Sequence, residues 1–260
     1  MIAVYDSGIG GTSVLKAIRA LDSHVDIIYL ADQARCPYGD RSASEIRQIA
    51  LGCAHWLIRQ GAAPVVVACN TASAAALHDM RQRHPETPFV GMVPAVKPAV
   101  QLTRSGVVGV MATAATLNGA LYHEVTQRFA HDVAVVGQAC HGLVDLVEAG
   151  QVSGSATDTA VAAHVTPLVQ AGADVIVLGC THYPFLRESI SRAAPHVSII
   201  DPAPAVARHA LNVTSHTAQP QQHGRTIYYT TGSASHLAWQ ISALGLPSGE
   251  ATHVAVEELI

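Results

Sequence analysis

Charge is scarce in this chain. Asp, Glu, Lys and Arg make up 13% of 260 residues, and the only lysines are Lys16 and Lys97. With a formal net charge of -4 and no dense Lys/Arg run, the chain lacks the electrostatic footprint that a polyanion such as nucleic acid requires. Neither lysine sits beside a phosphate cradle, which disfavours a pyridoxal cofactor held as a Schiff base. No stretch approaches 18 consecutive apolar residues, and no basic segment with an apolar run precedes residues 1–6. A membrane span and secretion are therefore not expected, and a cytoplasmic location is. The five cysteines, Cys36, Cys53, Cys69, Cys140 and Cys180, are widely spaced and odd in number, without a CxxC pair. Together with the absence of an HxxxH pair, this argues against a disulfide framework and against a metal site. The 15 histidines are scattered, and His24, His55 and His223 read as solvated or locally bonded.

Apolar residues, by contrast, reach 49%. Short apolar runs at 2–4, 27–30, 65–68, 107–111, 133–136, 175–178 and 197–200 alternate with segments of helical spacing at 11–21, 42–60, 72–83, 115–129 and 157–170. This alternation predicts βαβ units with buried parallel strands, an α/β fold. Ser42 and Glu45 have capping-box spacing. Residues 65–71 and 176–182 echo each other: each is an apolar strand that ends in a cysteine and opens a polar turn. The echo predicts two pseudo-symmetric lobes, each a mostly parallel sheet flanked by helices, with the active site in the cleft between them. Pro94 and Pro98 mark the crossing and 201–204 the return, so the first lobe is expected at 1–94 plus 207–260 and the second at 95–206.

Cys69 and Cys180 each stand at the carboxyl end of a strand, where α/β proteins place their ligands. Cys69 precedes Asn70-Thr71 and a helix of small residues, so its sulfur is expected where a helix N-terminus favours thiolate. Cys180 is followed two residues later by His182, close enough to exchange a proton with it. Two such thiols, one on each side of a bound carbon, suit inversion of stereochemistry, because removal and return of a proton on opposite faces needs one thiolate and one thiol. Asp6-Ser7-Gly8-Ile9-Gly10-Gly11 follows the first strand but matches a dinucleotide loop poorly: Ser13 stands at the third glycine, and Asp6 would repel a pyrophosphate. Asp6 is expected either near the reacting centre, with loop N–H groups toward a carboxylate, or as a helix cap. Pro37-Tyr38-Gly39 reads as a turn that approaches a ligand or as an ordinary surface turn. Cys53 and Cys140 read as structural.

The segments 6–15, Pro37-Tyr38-Gly39, 68–72 and 179–184, taken in order, resemble the successive signatures of the glutamate racemase family. The resemblance extends through 109–113 with Thr116, Leu146-Val147-Glu148 and Asp201-Pro202-Ala203, and so covers nearly the whole chain. It implies a cofactor-independent amino-acid racemase without a metal, in which Cys69 and Cys180 form the acid/base pair. Asp6 would then assist Cys69, His182 would assist Cys180, and Glu148 would lie close by. It also implies substrate contacts from Asp6, Ser7, Tyr38, Gly39, Asn70, Thr71, Thr113, Thr116, Thr181 and His182. The implied partner is glutamate, and the implied task is supplying D-glutamate for bacterial peptidoglycan. A homodimer stays open, since homo-oligomer surfaces in such folds carry no sequence signature. Ala112, Gly119, His141 and Asp145 stand where the family commonly has glycine, serine, proline and proline. Three other readings remain: a racemase for aspartate or another acidic amino acid, which His182 disfavours; a two-lobed amino-acid-binding protein; and a cysteine hydrolase, which leaves Cys69 without a role.

Overall fold

The computed structural model describes residues 1–214 and 223–259. The chain begins β1 (Ile2–Asp6), α1 (Thr12–Leu21), β2 (Ile27–Ala31), α2 (Ala43–Arg59), β3 (Val65–Val67), α3 (Asn70–Arg83), β4 (Phe89–Gly91). It continues α4 (Val96–Leu102), β5 (Val107–Ala112), α5 (Ala114–Leu117), α6 (Ala120–Phe129), β6 (Ala134–Ala139), α7 (Leu143–Glu148), α8 (Ser155–Gln170), β7 (Val175–Gly179), α9 (Arg187–Ala193), β8 (Ser198–Ile200). It ends α10 (Ala203–Asn212), β9 (Thr226–Thr230), α11 (Ala234–Ala243), β10 (Glu250–His253). Two sheets result, ordered β10-β9-β2-β1-β3-β4 and β6-β5-β7-β8. Every pairing in them is parallel. The α/β reading therefore holds, with helices between the strands.

Side-chain alternation explains why the strands read as unbroken apolar runs. Along β1, Ile2 and Val4 enter one core cluster while Ala3 and Tyr5 enter another on the opposite face. Along β7, Ile176 and Leu178 divide from Val175 and Val177 in the same way. Both faces are covered, so both must be apolar. From the C-terminal segment, β9 pairs with β2 and β10 pairs with β9 in the first sheet. Residues 215–222 and 260 of that segment lie outside the described residues.

Two local expectations change. Ser42 accepts a hydrogen bond from the Glu45 N–H at 3.2 Å, but the Glu45 carboxylate pairs with Arg41, so only half of the capping box is made. The single helix expected over 115–129 is broken at Asn118-Gly119 into α5 and α6. At Gly119 the chain is extended and presses close to α3, where an added Cβ would lie 3.0 Å from Ala74 Cβ. The break lets α5 bring Thr113 and Thr116 to Thr71 at the start of α3, through hydroxyl contacts of 2.9 and 3.1 Å. Among the described residues, no helix is long and apolar enough to cross a membrane.

Candidate active site

Parallel strands share one polarity, so the residues that follow β1, β3, β5 and β7 collect at the carboxyl edges of the two sheets. There Ser7, Pro37, Tyr38, Gly39, Cys69, Asn70, Thr71, Thr113, Val144, Cys180, Thr181 and His182 line a single cavity. Its volume is about 20 Å³, enough for a water molecule and too small for an amino acid. A larger surface cavity of about 580 Å³ lies against α2, lined by Arg35, His55, Arg83 and His84 among others. That wall holds two histidines, His55 and His84, but no thiol, hydroxyl or carboxylate for them to work with, so the chemistry assigns the site to the smaller cleft.

Cys69 caps α3, its sulfur accepting from the Ala72 N–H at 3.5 Å and standing 3.9 Å from the Ser7 hydroxyl. The expected preference for thiolate is not what this placement yields. Burial first, then the negative charge of Asp6, pushes the Cys69 thiol up to about 12, and the Ala72 N–H offsets only part of this. One helix N-terminus does not balance the loss of water around the sulfur.

On the other wall, Cys180 Sγ lies 3.7 Å from His182 Nδ1, and His182 Nε2 lies 2.7 Å from Glu148 Oε1. Burial opposes charge on His182, but Cys180, Cys36 and Glu148 outweigh it and hold the imidazole well above the ordinary histidine range. Burial likewise works to raise Glu148. The hydrogen bond and charge of His182, with donors from Gln33 and Ile9, prevail and hold its carboxyl at about 2. The result is a buried imidazolium–carboxylate pair beside Cys180. Glu148 thus joins the site despite the altered residues before it.

Asp6 is fully buried but does not line the cavity. Its carboxylate accepts from Thr181 Oγ1 at 2.9 Å and from the Gly8 N–H at 3.0 Å. Burial raises its pKa, while His182, Gly8 and Thr181 work against the rise. It is not the cap of α1, a position held by Gly11. The Ile9 N–H of the same loop donates to Glu148 Oε1 at 2.6 Å, so these loop N–H groups meet carboxylates of the protein itself. Thr116 also stands behind the wall, bonded to Thr71 and Thr113. The Tyr38 hydroxyl is engaged by Asp32 and by Tyr5, the latter at 2.7 Å, so Tyr38 serves the cavity as wall. Asn70, by contrast, has both side-chain polar atoms buried and unpartnered.

Cys53 and Cys140 lie in the core, as read from the sequence, and all five cysteines are free thiols. Folding also assembles what no spacing shows. Cys36, Glu148 and His182 place potential metal-ligand atoms within 4.8 Å of one another. Within this trio Glu148 and His182 are hydrogen-bonded to each other. Val144, on the cavity wall, and Gln33 and Gln240, bonded to Glu148, carry no sequence signal of their own.

Comparison with known proteins agrees with this fold. The family model for Asp/Glu/hydantoin racemases matches residues 12–210. A glutamate racemase of Roseiflexus sp. (strain RS-1) is 51% identical over 251 residues, which is 95% of this chain and 92% of the relative. Among solved structures, the glutamate racemase of Francisella tularensis in complex with D-glutamate superposes with a TM-score of 0.85 at 27% identity, covering 98% of this chain and 97% of the other. That of Escherichia coli, with L-glutamate and the activator UDP-MurNAc-ala, gives a TM-score of 0.85 at 31% identity, covering 98% of both chains. By sequence along most of its length and by the fold that carries its paired cysteines, the chain belongs to the Asp/Glu/hydantoin racemase family, among the glutamate racemases.

Proposed function

We propose that the protein interconverts L- and D-glutamate by moving a proton at Cα between Cys69 and Cys180. The observation that carries this reading is that both sulfurs line one cavity, each at the end of a strand from a different sheet. In the resting state Cys69 holds its proton, as its burial beside Asp6 favours. Cys180 Sγ stands 3.7 Å from His182 Nδ1, within reach to pass a proton to the imidazole and take one back. One thiol and one thiolate are what a single inversion needs, and their roles exchange with each turnover. Asp6 acts on Cys69 by charge and holds Thr181. Glu148 acts through His182. The polar groups of Ser7, Asn70, Thr71, Thr113 and Thr181, with Tyr38 and Gly39 as wall, receive the substrate. The unpartnered Asn70 amide supplies one donor and one acceptor for its ends. The pair works without a cofactor, and glutamate is favoured over aspartate by the relatives' names as well as by His182.

The lobe limits 1–94 with 207–260 and 95–206 belong to the same proposal, supported by the membership of the two sheets. The lobes must part to admit an amino acid into a cavity of about 20 Å³. A cytoplasmic location and a homodimer complete the proposal. To test it, each enantiomer of glutamate is incubated with the protein in D₂O, and optical rotation and Cα deuterium are followed together. Racemisation with one solvent deuteron at Cα in each inverted molecule is the expected result. Tight glutamate binding without exchange would instead establish a binding protein.

A further inference from the structure

Glu148 ends α7, which belongs to the second sheet's segment, yet it is gripped from the first. Gln33, just after β2, donates through Nε2 to Glu148 Oε2 at 2.9 Å and to Gln240 Oε1 at 2.7 Å. Gln240, on α11 and fully buried, donates through Nε2 to the Glu148 carbonyl at 2.7 Å and to Oε2 at 3.2 Å. The direction of this chain is set from its far end. Thr230 Oγ1 donates to Gln33 Oε1 at 2.9 Å, which leaves Gln33 only its amino group to offer. Gln240 then accepts through Oε1 and is left with its own amino group. Oε2 of Glu148 is thereby held by two amides, while Oε1 is left for the Ile9 N–H and His182 Nε2. Neither glutamine lines the cavity.

We propose that Gln33 and Gln240 are positioning residues that reach across the cleft from the first lobe and orient the Glu148 carboxylate toward His182, so that the Glu148–His182 pair beside Cys180 is set only when the two lobes are closed. The proposal rests on the racemase reading for its effect on rate, but not for its effect on His182. An uncharged donor suits the task. It orients a carboxylate without neutralising it, whereas a lysine or arginine there would compete with His182 for the same charge. The ionisable groups around His182 are Asp6 at the end of β1, Cys36 in the turn before Pro37, Cys180 after β7 and Glu148 on α7. Of these, Glu148 is the one the two glutamines control.

Methionine, close to glutamine in shape, removes the donors while keeping the bulk. Gln33→Met changes a half-buried residue and secures the test should the buried Gln240→Met fold poorly. Ring-¹⁵N histidine NMR then follows the titration of His182, with kcat and KM for glutamate measured in parallel. Both variants are expected to titrate His182 at lower pH and to lose kcat roughly tenfold, the scale of a lost hydrogen bond to a charged group. KM should stay unchanged. An unmoved His182 titration, or a rise in KM with kcat intact, overturns the proposal. Failure of the racemase reading shows separately, as no interconversion by the unaltered protein, and the NMR titration decides the positioning role even then.

Discussion

Alanine at either Cys69 or Cys180 is expected to lower glutamate racemisation by about a thousandfold or more, within the range attributed to positioned acids and bases. The cavity offers no replacement. The Tyr38 hydroxyl is bonded to Asp32 and Tyr5, and His182, bonded through Nε2 to Glu148, serves the cavity through its contact with Cys180. Asp6 is walled off behind Thr181. The two variants should also differ in kind. Each retains a thiol on one face, so each is expected to exchange the Cα proton of one enantiomer slowly without inverting it, and the two should choose opposite enantiomers. Proton NMR of L- and of D-glutamate in D₂O, with chiral analysis of the products, reads both effects. Normal racemisation by both variants would remove the thiol pair from the mechanism.

Gly10→Ala is expected to be nearly as damaging although Gly10 touches no reacting atom. An added Cβ would stand 2.3 Å from His182 Nδ1 and 2.6 Å from Thr181 Oγ1, well inside contact distance. Neither neighbour has room to retreat, because Glu148 holds His182 on its far side and Asp6 holds Thr181. The imidazole must shift, and its alignment with Cys180 shifts with it. A displacement of about 1 Å at a catalytic group costs on the order of a hundredfold in rate. The fold should survive, since Gly10 does not adopt a positive φ. Steady-state kinetics beside a thermal melt check this, and a normal kcat in a folded Gly10→Ala protein would contradict the placement of His182.

How much of this was legible beforehand depended on whether a residue's role is set locally. The strands β1, β2, β3, β5 and β7 could be read because sheets covered on both faces demand unbroken apolar runs, while β6 and β8, only partly buried, still carry enough apolar residues to be read. The edge strand β10, Glu-Ala-Thr-His, is largely exposed and carries no such run, and β4 offers only Phe89-Val90 before Gly91. Cys69, Cys180 and His182 were legible as residues closing strands. Glu148 came only through family resemblance. Its holders Gln33 and Gln240 lie 115 and 92 residues away along the chain, and only the folded chain brings them to it. The protonation of Cys69 was misread for a related reason: a helix N-terminus is visible in sequence, whereas the burial that outweighs it is tertiary.

The account stands or falls on where substrate carbon lies relative to the two sulfurs, and a crystal structure with glutamate bound measures this directly. It should show Cα between Cys69 Sγ and Cys180 Sγ, with one sulfur on each face and the Asn70 amide bonded to the ligand. Glutamate seated elsewhere, or both sulfurs on one face of Cα, would contradict it.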